Sequence, residues 1–318
     1  MWINRGRPAE RKGSALLTVL WLTAALSAIG IAVASNVRSE TERTTTSLDE
    51  VKAYFAARGA IERTAMRFFW GNDYYVWGTP AVDIAFPEAQ VHVDIIPEAS
   101  RLDVNGVPPE TLLRLMAALG MSPEKGQELT AAILDWRTAP RQETPSGFDI
   151  FYLSQSPSFL PRHTSFQENE ELLLLKGMTS DLYFGDSPGG THAGLRDCLS
   201  VYGGNGTLDI NTAQAATMIA VGLNPEEAAA VVQRRSVRPI VDPRELAEIQ
   251  QALGPAGSHL TVGGGTMYTL RATARPRTAD GKLSDMRRTV AALVKLHFQG
   301  NKQKIATGFE VINWYDRP

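Results

Sequence analysis

Between Lys12 and Arg38 the chain carries no formal charge, and Ser14 to Ala34 forms 21 consecutive uncharged and mostly apolar residues. A hydrocarbon core of about 30 Å is spanned by roughly 20 helical residues at about 1.5 Å each. A helix also pairs every backbone polar group within itself, as lipid demands. The stretch therefore predicts a membrane-spanning helix. Arg5, Arg7, Arg11 and Lys12 precede it against one Glu10, and a basic flank of this kind stays cytoplasmic. The rest of the chain is then expected on the periplasmic side of a bacterial inner membrane.

Ala32-Val33-Ala34 before Ser35 also fits a small-x-small cleavage site, so a secreted binding protein released after Ala34 is a competing reading. The length of the run argues against it, since the apolar region of a cleaved signal covers roughly 7 to 15 residues. No break follows either. Asn36 to Phe69 contains no proline and a single glycine, Gly59. Val51, Tyr54, Phe55, Arg58, Ile61, Ala65 and Phe68 fall at three- and four-residue steps, which predicts an amphipathic helix. One helix running from Ser14 to Phe69 would be about 80 Å long.

The junction Lys12-Gly13-Ser14 joins a short basic leader ending in Gly to a small residue and an uninterrupted apolar helix. It resembles the class III leader of type IV pilins and type II secretion pseudopilins. The resemblance implies cleavage between Gly13 and Ser14 by a prepilin peptidase and N-methylation of Ser14. Most members of that class carry Glu at the fifth mature position, and here it is Thr18. A carboxylate in hydrocarbon is costly and is thought to be offset by the amino terminus of a neighbouring subunit. Thr18 therefore suggests a subunit with nothing above it, a tip position like that of the minor pseudopilin general secretion pathway protein K.

Of the 318 residues 43% are hydrophobic and 21% charged, with a net charge of -2. That is an ordinary globular profile, large enough for two or three domains, without the basic surplus of a nucleic-acid binder. Cys198 is the sole cysteine, which excludes an intramolecular disulfide and a cysteine-rich metal site.

Beyond the helix, Gly71 to Pro87 reads as a loop. Val91 to Ile96 and Arg101 to Val104 read as two strands turning at Pro97-Glu98-Ala99-Ser100, a hairpin lying on the helix. From Asn105 the pattern is helical and nearly repeats. Asp103-Val-Asn105 precedes a leucine-rich helix, then Gly120-Met-Ser-Pro123-Glu124 and a helix ending at Arg137. Asp209-Ile-Asn211 precedes a helix, then Gly222-Leu-Asn-Pro225-Glu226 and a helix ending Arg234-Arg235. Each copy reads as an αα-hairpin in which Gly ends one helix, Ser or Asn caps the next and Pro takes its first position. Such hairpins resemble the helix-hairpin-helix domains of competence proteins, so a membrane-anchored DNA receptor is the alternative. Their Gly-x-Gly phosphate loop lacks its second Gly in both copies, and no nucleic-acid partner is expected.

Leu134-Asp135-Trp136-Arg137, Phe151-Tyr152, Glu171-Leu172, Gly177-Met178-Thr179, Leu182-Tyr183, Asn211-Thr212-Ala213 and Arg235 together resemble the general secretion pathway protein K family in order and spacing. Thr138 and Pro140 follow Arg137 where family members often add aspartates. No cofactor is expected. Some members bind calcium, for which Asp135, Glu143, Asp149, Glu168, Glu170 and Glu171 are the carboxylates at hand, and no ligands are assigned. Glu168 to Glu171 suit the start of a helix. Gly254 to Gly265 reads as a linker. Met267 to Ala274, Arg288 to Phe298 and Ile305 to Asp316 read as strands, with Asp280-Gly281 as a tight turn. The five histidines are scattered, and neither a Gly-x-Ser-x-Gly elbow nor His-Glu-x-x-His is present, so no catalytic residue is assigned.

The expected fold is α+β. Residues 1–13 are a leader, 14–70 a pilin-type helix, and 71–104 a loop and first sheet hairpin. Residues 105–258 are a helical insertion with hairpin units at 105–137 and 209–250, and 266–318 are strands that complete the sheet. The resemblance implies a type II secretion minor pseudopilin that packs on other minor pseudopilins through its first helix and meets the prepilin peptidase and secreted substrates.

Overall fold

The computed structural model describes residues 14–70, 76–139, 145–185, 193–204, 206–278, 280–298 and 306–316. The leader, with Gly13, lies outside them. Helix α1, Ser14–Trp70, is continuous over 57 residues, about 85 Å at 1.5 Å per residue. It is long and apolar enough at its start to cross a membrane.

Strands β1 (Ala81–Phe86) and β2 (Ala89–Pro97) open an antiparallel sheet. It is completed after a long excursion by β7 (Met267–Pro276), β8 (Arg288–Phe298) and β9 (Ala306–Tyr315). The order is β1-β2-β7-β8-β9, so the last three strands join the strand expected over Val91 to Ile96 in one sheet, while the second strand of the expected early hairpin does not take part. β7 alternates strictly, with Tyr268, Leu270, Ala272 and Ala274 turned onto α1, the period of two expected of a strand with one covered face.

The helix face that meets the sheet differs from the expected one. Ala53, Ala57, Ala60, Ile61, Thr64, Ala65 and Phe68 are buried, whereas Val51 and Phe55 are 50% and 64% exposed. Four of the seven buried residues are alanine, because only a small side chain lets a sheet lie close along a helix. Alanine scores weakly in an apolar pattern, so the larger and exposed residues misdirect the reading.

Three further expectations are corrected. Gly71 to Pro87 is not all loop, since Ala81–Phe86 is the edge strand β1, and Asp83 on it faces solvent. The hairpin turns at Pro87-Glu88 between β1 and β2, not at Pro97 to Ser100. The latter is a 3-10 turn, and β3 (Leu102–Asp103) leaves the sheet to pair in parallel with β4 (Leu199–Ser200) of the insertion. Nor is Gly254 to Gly265 a bare linker. It forms a 3-10 turn at Gly254–His259 and strand β6 (Leu260–Thr261), which pairs with β5 (Leu208–Asp209).

The insertion has its own core and holds α2 (Pro109–Ala118), α3 (Pro123–Arg137), α4 (Gly147–Leu153), α5 (Ser180–Phe184), α6 (Leu195–Cys198), α7 (Ala215–Ala220), α8 (Pro225–Val237) and α9 (Pro243–Ala252). Helices α2 and α7, the first members of the two hairpins, pack against each other. The hairpin chemistry is as expected. Gly120 and Gly222 have φ of 79° and 122°, open to glycine. The Ser122 hydroxyl accepts from the Lys125 amide and the Asn224 carbonyl from the Glu227 amide. Pro123 and Pro225 take the first helical positions.

The alanine face yields a direct expectation. Ala57→Leu pushes a four-carbon side chain against the sheet and lowers unfolding stability by about 1–3 kcal/mol, measured by thermal unfolding. Phe55→Leu on the opposite side changes it by less than about 0.5 kcal/mol.

Candidate assembly surface and the joint beneath it

At 100° per residue, Leu48, Val51, Phe55, Met66 and Trp70 fall on one side of α1, opposite the buried alanine face. All five are about half exposed or more. Helix α1 thus has two apolar faces past its membrane stretch, one buried by the sheet and one about half exposed or more among the described residues. Thr18 lies on the exposed first turns of α1, and Ser14 is the first residue of the helix. A surface helix normally turns a polar face to water. An uncovered apolar stripe is a mark of a protein or membrane contact.

Beneath this surface, a few buried polar groups tie the two cores together. Glu98 is 1% exposed. Its carboxylate receives Arg101 Nη1 at 3.0 and 3.1 Å, the Ser200 hydroxyl at 2.5 Å and the Thr269 hydroxyl at 2.5 Å. One side chain therefore joins the 3-10 turn, the insertion and β7. Burial pulls the Arg101 guanidinium down, but Glu98 and Asp197 outweigh it and hold its pKa above the ordinary value. At a second point Asn211 Nδ2 donates to the carbonyls of Gly78 and Ile240, while its Oδ1 accepts from the Ile240 amide. Asp209 Oδ1 accepts from the Gly263 amide, and a side chain at Gly263 would collide with the Trp77 ring. Trp77 in turn packs on Phe68, Tyr268 and Phe298 of the helix–sheet core. Glu98, Asn211 and Trp77 were not singled out for this role in the sequence, because their partners are far away along the chain.

The repeat is chemical as well as geometric. Asn105 exchanges two bonds with the backbone of Phe166, as Asn211 does with Ile240. Arg137 donates to the carbonyls of Val104 and Val107 at 2.6 and 2.7 Å, and Arg235 to that of Ile210 at 2.7 Å. Arg234 pairs with Glu245 at 2.6 Å. These arginines are spent inside the insertion. The helix starts that would have to meet phosphate carry Glu124, Glu226 and Glu227, the wrong charge for a nucleic-acid backbone. The geometry does not favour the DNA-receptor alternative.

The Asp-Trp-Arg motif anchors the loop after α3. Trp136 is buried, stacks on Phe166 at 5.8 Å and donates to Glu171 at 3.1 Å. His163 places Nδ1 3.1 Å from the Asp135 carbonyl and Nε2 2.8 Å from Asp149 Oδ1. Both neighbours are acceptors, an arrangement that favours the protonated ring. Burial works against that charge, but the Asp135 carbonyl and the Asp149 carboxylate outweigh it and raise the His163 pKa. For Asp149, burial is overcome by the Ser146 amide and His163, and its pKa is lowered.

Asp135, Asp149 and His163 can bring one atom each within 4.8 Å of one another. Both Asp149 oxygens are engaged, by His163 and by the Ser146 amide. Glu171 is engaged by Trp136 and by the Gln167 and Glu168 amides, and Glu168 to Glu171 open a 3-10 turn rather than an α-helix. Glu143 lies outside the described residues. Asp135 Oδ2 is buried without a hydrogen-bond partner, so this group keeps a free carboxylate oxygen, whereas calcium takes six to eight oxygens. His92 pairs with Asp83 and Asp94, His259 bonds the Gly206 carbonyl, and His297 stands 4.0 Å from Glu310. His192 lies outside the described residues. Cys198 is buried and its thiol is pushed up to about 12 by that burial, which makes it unreactive.

Residues 99–185 match the family described as "Type II secretion system (T2SS), protein K". Over that segment the chain is similar to protein K of type II secretion systems. It is 29% identical over 200 residues to the type II secretion system protein K of Klebsiella pneumoniae, a match covering 55% of this chain and 60% of that protein's length. Its fold is similar to a chain in the crystal structure of the GspK-GspI-GspJ complex from the enterotoxigenic Escherichia coli type 2 secretion system. The TM-score is 0.53 at 16% identity, covering 86% of this chain and 98% of that one. The α+β architecture is shared at the level of fold. The family is a structural component of a secretion system.

The His163 bridge sets a pH dependence. A raised imidazole pKa contributes stability in full below the ordinary value of about 6.5 and loses it as pH rises through the folded-state value. The lowered Asp149 pKa contributes above about 3.9 and loses it as pH falls. The stability difference between the parent and His163→Asn, which tolerates the positive φ of 48° here, is expected to be greatest near pH 5. It should be about 1–2 kcal/mol there and shrink on either side, as followed by denaturant unfolding across pH.

Proposed function

We propose that this protein is a minor pseudopilin of a type II secretion system that sits at the pseudopilus tip and supports protein secretion across the outer membrane. Its amino terminus faces the cytoplasm, α1 crosses the inner membrane, and the two cores stand in the periplasm. A prepilin peptidase cuts between Gly13 and Ser14 and methylates Ser14. Thr18, in place of the usual Glu, leaves nothing for a neighbouring amino terminus to neutralise, which suits a terminal subunit. The insertion from Asn105 to Ser258 adds bulk on the sheet side and favours an end position over lateral packing within a filament. The reading requires no cofactor.

The observation that carries it is the exposed stripe Leu48, Val51, Phe55 and Met66, which follows the membrane stretch after the polar run Arg38 to Ser47 and lies opposite the sheet. A neighbouring helix of the same class, as in other minor pseudopilins, fits that stripe. The GspK relative of similar fold is found in complex with GspI and GspJ, and the same kind of partner is proposed here.

Phe55→Asp tests this reading. Its side chain is exposed in the monomer, so the thermal unfolding midpoint should stay within about 2 °C of the parent. Copurification with the other minor pseudopilins from membranes and secretion by the intact system should both fall at least tenfold. Unchanged copurification and secretion would overturn the assignment of this face.

A further inference from the structure

Between the outer face of the sheet and the insertion lies a cleft of about 570 Å³, within the range of about 300–1,000 Å³ usual for ligand sites. Three arginines line it, Arg101, Arg196 and Arg271. Arg101 is committed to Glu98. The other two are not. The Nε atoms of Arg196 and Arg271 are buried without a hydrogen-bond partner, and neither side chain enters a hydrogen bond or ion pair among the described residues. Arg196 lies 4.9 Å from the centre of the Phe184 ring. Burial holds the Arg271 pKa below its ordinary value, the charges of Arg101 and Arg196 push it further down, and Asp94 and Asp197 oppose this only in part. Asp197 turns its carboxylate to the Gly194 amide at 3.2 Å.

A guanidinium with buried, unmade bonds is expensive to keep in a fold. Arg196 and Arg271 are half-buried and each keeps a buried Nε without a bond in one cleft, beside Arg101, which is paired with Glu98, a combination that suits an anion. The other linings narrow the anion. Phe184, Tyr202 and Ile312 supply exposed aromatic and apolar surface, which suits a group carried on an apolar body. Glu168 and Glu170, both exposed, stand among the linings on the solvent side and disfavour a doubly charged phosphate. The volume exceeds what a lone small anion fills.

We propose that this cleft binds a carboxylate presented by a polypeptide segment, with the charge on Arg196 and Arg271 and the apolar part of the segment against Phe184, Tyr202 and Ile312. Arg is suited to this by its planar fork, which matches a carboxylate in two bonds. The site is separate from the helix stripe and goes beyond the assembly role of that stripe.

Calorimetric titration of the full chain in detergent tests it, with acetyl-Gly-Leu-Phe bearing a free carboxylate, the same peptide as its amide, and acetate. The acid is expected to bind with a Kd below about 1 mM and the amide and acetate at least tenfold more weakly. Arg271→Met and Arg196→Gln should each weaken the acid at least tenfold. Because it removes a half-buried guanidinium whose Nε has no hydrogen-bond partner, Arg271→Met should also raise the thermal midpoint by about 2 °C or more, the reverse of what loss of a structural contact does. Equal binding of acid and amide, no binding of either, or acetate binding as tightly as the peptide acid would overturn the proposal. So would an Arg271→Met variant that melts lower and binds as before.

Discussion

The sheet can lie along α1 only because the helix turns alanines toward it. Ala53, Ala57, Ala60 and Ala65 are buried with Thr64, whose hydroxyl returns to the Ala60 carbonyl at 2.8 Å. This leaves room for Tyr268, Leu270 and Ala272 of β7 to reach the helix backbone. Phe68 and Ile61 fill the remaining gaps at close-packed density. Since the sheet occupies that face, Leu48, Val51 and Phe55 on the other side of the helix stay half exposed or more among the described residues. The proposed assembly surface is therefore a consequence of how the core is built.

The second dependence runs between the cores. The excursion from β2 to β7 leaves the sheet at Glu98 and returns through Gly263, and the buried polar bonds sit at those two points. Glu98 holds Ser200 and Thr269, Asp209 holds Gly263, and Asn211 reaches back to Gly78 beside Trp77. Networks of this kind, with every oxygen engaged, favour one arrangement over its alternatives, because a half-made version leaves buried groups unpaired. An insertion attached at a single hinge would be free to swing. One pinned at both its exit and its return is held against the sheet, and the arginine cleft lies in the angle between them.

How much of this was legible in the sequence follows the range of the interactions. The membrane run, the unbroken helix, the Gly-Ser-Pro and Gly-Asn-Pro hairpins and the last three strands rest on contacts within a few residues, and they appear where expected. The strand β1 was not legible, because Ile84 is the only fully buried residue of its six and Asp83 interrupts the pattern. The buried role of Glu98 was hidden for the opposite reason. Its partners Ser200 and Thr269 lie 102 and 171 residues away, and in the sequence Pro-Glu-Ala-Ser reads as a surface turn. The helix face was misplaced because burial favoured alanine while the conspicuous residues, Val51 and Phe55, serve the outside. At the joint, Arg271 stands in an ordinary alternating strand, and only the fold shows that it lacks a partner.

The measurement that bears most directly on this account is the mass and identity of the mature amino terminus, taken from membranes with and without a functional prepilin peptidase. The account expects N-methylated Ser14 when the peptidase is active and an uncut leader when it is absent. A chain beginning at Ser35 and free of the membrane would contradict it, because α1 would then lose its membrane stretch and with it the anchor that the proposed assembly requires. An intact Met1 in the presence of the peptidase would contradict the pseudopilin assignment and leave a plain membrane-anchored protein.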